Sequence, residues 1–143
     1  MTKEAATLRL RLTPVAEAQL RDVRRRAEAA PHTFEDAVWG WVKTNLELVL
    51  RRPSFALEPD RLLGVRKHDF TGIRKVKFKN AKRGMRIIYI VSEPLQTTTV
   101  LMFGERIQDA ADDVYEELAL HLAAGNFDDA FADLNMPRPP GLL

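Results

Sequence analysis

The residues in this chain that are best suited to chemistry are lysines and arginines. Lys75 and Lys77 occupy alternate positions, and Arg86 begins an apolar run a short way beyond them. Arg106 closes a second apolar run, and Tyr115 follows it. Fixed positive charges of this kind act on polyanions, because they hold phosphate oxygens and stabilise negative charge that builds up during a reaction. The pattern therefore indicates a substrate that carries phosphate groups.

Other kinds of catalytic site have little support in the composition. The sequence contains no cysteine and only three histidines. The absence of cysteine excludes disulfides and thiolate metal sites. No Ser–His or Glu–His pairing stands out beside the basic residues, and His32 and His121 do not form a metal-ligand spacing with each other. We therefore expect no metal and no cofactor.

Cleavage of RNA would suit the basic residues, because the ribose 2′-hydroxyl of the substrate can itself attack the adjacent phosphorus. The enzyme must accept the hydroxyl proton, stabilise the extra negative charge and help the 5′-oxygen to leave. A lysine crowded by other cations loses its proton more easily, since like charge disfavours the charged form. Arginine stays cationic and grips phosphate oxygens with two parallel N–H donors. Crowded lysines with two arginines can thus cleave RNA without histidine.

Charge is distributed unevenly along the chain, although the formal net charge is only +2. Residues 61–86 contain ten lysines and arginines and one acid, whereas residues 107–143 contain eight acids and one arginine. A basic block of this density predicts contact with nucleic acid or phosphate. The residues that we expect to bind RNA around the candidate catalytic set are Arg66, Lys67, Arg74, Lys79, Lys82 and Arg83.

The chain is predicted to begin with a strand and a helical hairpin. Residues 8–12 alternate apolar and basic side chains, as a half-buried strand does. Thr13 is a good N-cap and Pro14 suits the first position of a helix, so a first helix follows. Thr33, with an acid three residues later, resembles a capping box, which predicts a second helix over residues 34–51.

Three strands and a last helix complete the predicted fold. The strands are rich in β-branched and aromatic residues and span residues 73–79, 86–92 and 97–103. Gly84 is available for a positive φ in the first hairpin connection. Asp109 or Asp112 can cap a last helix over residues 111–124, and residues 62–70 are irregular or a short strand. The order of elements predicts an α+β fold, in which an N-terminal strand and a three-stranded antiparallel meander form one curled sheet covered by helices.

The first strand of the meander is predicted to separate apolar from basic side chains. Val76 and Phe78 alternate with Lys75 and Lys77. Because side chains on a strand point to opposite faces in turn, the apolar pair is expected to be buried. The two lysines are then expected to face an open groove.

The chain length of 143 residues predicts a single domain. We predict that residues 1–125 form this domain and that residues 126–143 form a C-terminal arm with a proline-rich tail. The N-terminal segment has no apolar signal core, and no apolar run is long enough to cross a membrane. We therefore expect a cytoplasmic protein without a membrane partner.

Four short motifs, taken in order, resemble the RelE/ParE toxin superfamily and are closest to its RelE-type messenger-RNA interferase branch. In that branch a Lys-x-Lys pair precedes a hairpin and an Arg-apolar-apolar-Tyr strand, as residues 75–77 and 86–89 do here. The branch continues with a strand that ends in Gly-x-Arg, as residues 104–106 do, and with a tyrosine in the final helix, which is Tyr115 here.

This resemblance implies a RelE-like fold and a metal-independent endoribonuclease that serves as the toxin of a type II toxin–antitoxin system. Lys75 and Lys77 would activate the 2′-hydroxyl, and Arg86 would hold the scissile phosphate. Arg106 would stabilise or protonate the leaving oxygen, and Tyr115 would orient or stack on the RNA. The implied partners are a cognate antitoxin protein and messenger RNA, with dependence on the ribosome left open. Any oligomer is expected to form only through the antitoxin.

Two other functions remain open on the same motifs. The chain can be a ParE-like inhibitor that acts by binding DNA gyrase, or an RNA-binding regulator without catalysis. The residues also allow structural roles. Lys75 and Lys77 suit an exposed strand face, Arg86 and Arg106 suit ion pairs with the acidic C-terminal residues, and Tyr115 suits a helix core.

Overall fold

The computed structural model describes residues 9–30, 39–40, 43–44, 61–65, 68–80, 83–107 and 110–142. Of residues 61–65, 78–80, 83 and 142 it describes only the backbone. The strands are β1 (Arg9–Leu12), β2 (Arg61–Val65), β3 (His68–Asn80), β4 (Arg83–Ser92), β5 (Thr97–Arg106) and β6 (Gly141–Leu142). The helices are α1 (Pro14–Ala29), α2 (Val114–Ala123) and α3 (Asp128–Asp133).

The predicted start of α1 is confirmed. Thr13 is the N-cap, and its side-chain oxygen accepts a hydrogen bond from the backbone N–H of Ala16 at 3.1 Å. The same hydroxyl donates to the backbone carbonyl of Leu101 at 2.5 Å, which ties the beginning of α1 to β5. Residues 39–40 and 43–44 have helical backbone. The rest of the predicted second helix lies outside the described residues.

The strands form one mixed sheet in the order β1-β5-β4-β3-β2, with β6 pairing with β3 off this path. Strands β3, β4 and β5 form an antiparallel meander, and β1 joins it by parallel pairing with β5. The predicted α+β fold with one sheet is therefore confirmed. The prediction did not include β6, and the segment at residues 62–70, for which a short strand was one of two options, contributes to both β2 and β3.

The first hairpin is tighter than predicted. Strand β3 continues to Asn80 and pairs there with Arg83, the first residue of β4. Gly84 consequently lies inside β4, opposite Lys79, and does not have a positive φ. The prediction that Gly84 serves the turn was wrong, because the cross-strand pairing extends beyond it. The second predicted connection, around Pro94, is a turn over residues 93–96.

The two faces of the sheet are covered by different helices. On one face, Ala16 of α1 packs with Ile87, Tyr89, Val100 and Phe103. Val76 lies at the border of this cluster and is half-buried, so the predicted burial of this residue is only partial. The side chain of Phe78 lies outside the described residues.

On the opposite face, α2 and the C-terminal arm form the larger core. The stripe predicted for the last helix, Val114, Leu118 and Leu122, is fully buried there. Gly125 has a φ of +80° directly after the helix, as predicted for its C-terminal end. No helix in the described ranges is long and apolar enough to cross a membrane.

The C-terminal arm fills a gap in the sheet and adds to this core. Gly72, with a φ of +84°, lies where the pairing of β3 with β4 ends, and β6 pairs with His68 and Asp69 just before this point. Phe127 and Phe131 belong to the same buried cluster as the residues of α2. The structure thus packs this arm against the domain, and the proposed boundary at residue 125 stays a prediction.

We predict that Phe131→Ala lowers the free energy of unfolding by about 3–5 kcal/mol, because this ring is 1% exposed and its removal leaves a cavity. Leu120→Ala is the control, since Leu120 is 60% exposed on α2 and its truncation should cost below about 0.5 kcal/mol. Urea unfolding of both variants measures the difference. Equal stability of the two variants would mean that the arm is not part of the core.

Candidate active site

The candidate catalytic residues lie on one face of the meander. Lys77 is directly opposite Arg86 in the pairing of β3 with β4, and Arg86 is opposite Gly104 in β5. Residues directly opposite in an antiparallel pair share a face of the sheet. Lys75 and Arg106 belong to the neighbouring rows on the same face, since alternate residues of a strand point the same way. Three strands therefore bring four cations together that are far apart in sequence.

Tyr115 contacts three of these four cations. The Nζ atom of Lys75 is 5.9 Å from the centroid of the tyrosine ring, and the Cζ atom of Arg106 is 4.8 Å from it. The Nε–H of Arg86 donates to the tyrosine oxygen at 3.3 Å, and Nη1 of Arg86 donates to the backbone carbonyl of Met85 at 3.0 Å. The ring attracts two cations toward its face, and the hydroxyl oxygen accepts a hydrogen bond from the third.

Tyr115 is also a buried residue of the core. It is 4% exposed, and its ring packs on that of Phe70 with centroids 6.2 Å apart. The sequence left open whether this tyrosine serves the core or the site, and the structure places it at the border of both. Its burial leaves little of the ring exposed to solvent.

Two glycines lie where this arrangement is tightly packed. A Cβ atom on Gly104 would lie 2.6 Å from Cγ2 and 2.8 Å from Cβ of Val114, the first residue of α2. Only glycine therefore allows α2 to begin so close to β5. A Cβ atom on Gly84 would lie 3.1 Å from Nη1 of Arg86, so this glycine provides space for the arginine head group.

The N-cap of α2 is Asp113, and the prediction of Asp109 or Asp112 was wrong. The Asp113 carboxylate accepts from the backbone N–H of Tyr115 at 3.1 Å and from that of Ile107 at 2.6 Å. The chain before the helix forms a turn, in which the carbonyl of Ala110 accepts from the N–H of Asp113, and the helix starts at Val114. The pattern Asp-x-x-Glu at residues 113–116, a variant of the capping box, was the sequence signal for this start.

The carboxylate of Asp113 also binds Arg106. Its Oδ2 atom is 2.6 Å from Nη1 of the guanidinium, and the Asp113 side chain is 2% exposed. The Arg106 side chain is 27% exposed, so the ion pair lies at the edge of the core. The sequence allowed such ion pairs between the arginines and the C-terminal acids in general, without indicating Asp113 as the partner.

Another acid of α2, Glu116, lies close to His68. The Oε2 atom of Glu116 is 3.4 Å from Nε2 of His68, which is close enough for an ion pair but does not have hydrogen-bond geometry.

Burial raises the pKa of Glu117, and the negative charges of Asp112 and Asp113 add to this effect while His121 opposes it.

The residues predicted to bind RNA are only partly described. Arg74 lies opposite Tyr89 on β4, and Tyr89 packs in the core on the α1 side of the sheet. Burial raises the pKa of Tyr89, and the positive charge of Arg74 opposes this shift. Arg74 therefore lies on the other face of the sheet from Lys75 and Lys77, because neighbours on a strand point in opposite directions.

The backbones of Lys79 and Arg83 lie at the hairpin end of β3 and β4, beyond Lys77. Nothing is described of their side chains. Arg66, Lys67 and Lys82 lie outside the described residues. Among the residues that are described, no group of three or more histidine, cysteine, aspartate or glutamate side chains is arranged to hold a metal ion.

Two solved structures are similar to this chain. One is a chain of the intact E. coli RelBE toxin–antitoxin complex, with a TM-score of 0.46 and 18% identity, covering 71% of this chain and 99% of that chain. The other is a mutant of the E. coli toxin RelE in the free state, with a TM-score of 0.41 and 18% identity, covering 68% of this chain and 82% of that chain. No family model matches the sequence, and no curated protein matches it.

We predict that Gly104→Ala lowers the free energy of unfolding by about 1–3 kcal/mol, because the added methyl group displaces Val114 and the start of α2. The NMR signals of the Tyr115 ring should shift in the same variant. Gly40→Ala is the control, since a Cβ atom there has no described residue within 4 Å and alanine favours the local helical backbone. The packing argument fails if both variants are as stable as the parent and the Tyr115 signals do not move.

Proposed function

We propose that this protein is the toxin of a toxin–antitoxin pair and that it cleaves messenger RNA by attack of the ribose 2′-hydroxyl. The observation that carries the proposal is that Lys75, Lys77, Arg86 and Arg106 share one face of the sheet and that three of them contact Tyr115. Such a cluster of cations suits a phosphodiester, whose negative charge increases in the transition state. The toxin class rests on the resemblance of these motifs to the RelE-type branch.

In the proposed reaction the neutral amine of Lys75 or Lys77 accepts the proton of the 2′-hydroxyl while the 2′-oxygen forms a bond to phosphorus. The bond between phosphorus and the 5′-oxygen then breaks. The proton held by the lysine reaches the departing oxygen, directly or through water. The products are a 2′,3′-cyclic phosphate and a free 5′-hydroxyl, and the lysine is returned to its starting state.

Arg86 is proposed to hold the nonbridging oxygens of the scissile phosphate. It lies on the middle strand, β4, with Lys77 opposite it on β3 and Arg106 two residues beyond its partner on β5. Its contacts with the Tyr115 oxygen and the Met85 carbonyl restrain the head group before RNA arrives. Arg106 is proposed to stabilise the leaving oxygen by its charge, because a guanidinium stays protonated at all relevant pH values. A donor that is already in position needs no reorganisation when charge develops.

Tyr115 is proposed to orient these cations. Its ring contacts Lys75 and Arg106 and its oxygen contacts Arg86, so its removal would disturb three groups at once. The protein partner in this proposal is an antitoxin, and the substrate is messenger RNA, free or on the ribosome. The alternative is RNA binding without cleavage, and one observation favours it: Arg106 is already neutralised by Asp113.

The test of the proposal combines induction in cells with purified protein. The protein should arrest growth, and primer extension should map cuts in messenger RNA with cyclic phosphate ends. RNA that is bound but never cut, with or without ribosomes, would support the binding-only alternative. Growth arrest without cut RNA but with loss of gyrase supercoiling would support a gyrase inhibitor.

We predict that Arg86→Ala reduces the rate of RNA cleavage about 10²–10³-fold, as removal of one preorganised donor does at other sites. Arg86→Lys should restore only part of the rate, because an ammonium keeps the charge but loses the two parallel donors. The cleavage rate is measured under single-turnover conditions, beside the thermal midpoint of each variant. Arg9→Ala serves as a control, since β1 pairs with the opposite end of β5, about 30 Å from Arg106. A folded Arg86→Ala protein with full activity contradicts the proposed mechanism.

We also predict that RNA affinity falls steeply with salt. Each phosphate contact on a single strand should contribute about −0.7 to the slope of log affinity against log salt. Lys77→Ala should make the slope shallower by about one such contact, because Lys77 is exposed on the proposed RNA face. Fluorescence anisotropy with a labelled single-stranded RNA measures the slope. An affinity that is independent of salt would mean that the basic face does not bind phosphates.

A further inference from the structure

Asp113 connects three parts of the candidate site through one carboxylate. Oδ1 accepts from the N–H of Ile107, just after β5, and Oδ2 accepts from the N–H of Tyr115 in the first turn of α2. Oδ2 also binds Nη1 of Arg106 at 2.6 Å. The end of β5, the start of α2 and the guanidinium are therefore held in one arrangement by a side chain that is 2% exposed.

The charge of Asp113 exceeds what a helix cap needs. Serine or asparagine caps a helix as well as aspartate does. A buried carboxylate is costly unless a cation is paired with it. The pair with Arg106 supplies this cation, and the Arg106 head group in turn lies 4.8 Å from the centroid of the Tyr115 ring. Asp113 and the ring thus restrain the guanidinium on two sides.

The guanidinium keeps donors for a substrate. It has five N–H groups, and within the described part of the chain only Nη1 donates a hydrogen bond, to Asp113. About a quarter of the Arg106 side chain is exposed. The head group of Arg106 is thus held in place and is still accessible to solvent. A preorganised anion-binding group needs both properties.

We propose that Asp113 is a positioning residue that aims Arg106 at the leaving oxygen of the RNA. This inference rests on the proposed function, because it gives Arg106 a role in cleavage. Asp113 itself does not contact the substrate. Its negative charge weakens the general attraction of Arg106 for RNA, while its hydrogen bond fixes where the guanidinium lies. Loss of Asp113 should therefore slow cleavage without weakening the binding of RNA.

The decisive variant is Asp113→Ser, which keeps a helix cap and removes the partner of Arg106. Cleavage of a labelled single-stranded RNA, free and on programmed ribosomes, should show a 10–100-fold lower kcat with an unchanged or lower KM. If Asp113 only stabilised the fold, Asp113→Ser would lower the fraction of active protein without changing KM. It would then lower the apparent kcat of the Arg106→Ala protein as well. In the Arg106→Ala background, Asp113→Ser should change kcat less than twofold. Asp133→Ser is the matched control, because Asp133 pairs with Arg11 at the exposed surface.

A second measurement tests the positioning without any assay of cleavage. The Nε–H signal of Arg106 in ¹⁵N NMR should indicate a rigid side chain in the parent protein and a mobile one in Asp113→Ser. If the parent protein does not cleave RNA but this signal changes as expected, the proposed function fails and the restraint of Arg106 stands. If the parent cleaves RNA and Asp113→Ser has the same kcat, or if Arg106 is equally rigid in both proteins, the inference is wrong.

Discussion

The candidate site depends on the close contact between the first turn of α2 and the end of β5. Gly104 has no side chain, and Val114 occupies the space that any other residue at position 104 would fill. Because α2 begins at this point, Tyr115 in its first turn reaches the face that carries the lysines and arginines. The Asp113 carboxylate closes the same contact from the other side by binding Ile107 and Arg106. A larger separation of α2 from β5 would remove both the tyrosine and the carboxylate from the cations.

Four cations on one face of a sheet repel one another, and the structure offsets this repulsion with several kinds of acceptor. Arg106 has a buried carboxylate, and Arg86 has a tyrosine oxygen and a backbone carbonyl. Lys75 lies near the face of an aromatic ring, an interaction worth about 0.5–2 kcal/mol. Only one of these acceptors carries a full negative charge. The acceptors therefore give the head groups of Arg106, Arg86 and Lys75 preferred positions.

The C-terminal arm shows how the sheet and the core are linked. Along one edge of β3, the pairing with β4 ends at Arg74, and β6 pairs with His68 and Asp69 on the other side of Gly72. Gly141 makes this possible, since a Cβ atom there would lie 2.8 Å from Cβ of Leu122 and 2.9 Å from the carbonyl of Ala119. The arm thus holds α2 from its C-terminal end, while Asp113 holds it from its N-terminal end. Both ends of the helix that carries Tyr115 are fixed to the sheet.

Local patterns in the sequence determined much of the fold. Thr13 and Pro14 specify the start of α1, the spacing of Val114, Leu118 and Leu122 specifies the buried side of α2, and Gly125 specifies its end. Each of these signals acts within one or two turns of chain, so it can be read without knowledge of the neighbours. The alternation of Lys75 and Lys77 likewise predicted that both lysines share a face.

Tertiary structure alone decided the features that depend on distant residues. The choice of Asp113 over Asp109 and Asp112 depends on where β5 ends and on the guanidinium beside it. The position of Gly84 inside β4 depends on how far the pairing with β3 extends. The sequence by itself thus determined which residues carry charge and which elements they lie on, because charge and periodicity are local properties. Which of those charges meet, and which carboxylate holds Arg106, was decided by packing between segments that lie many residues apart.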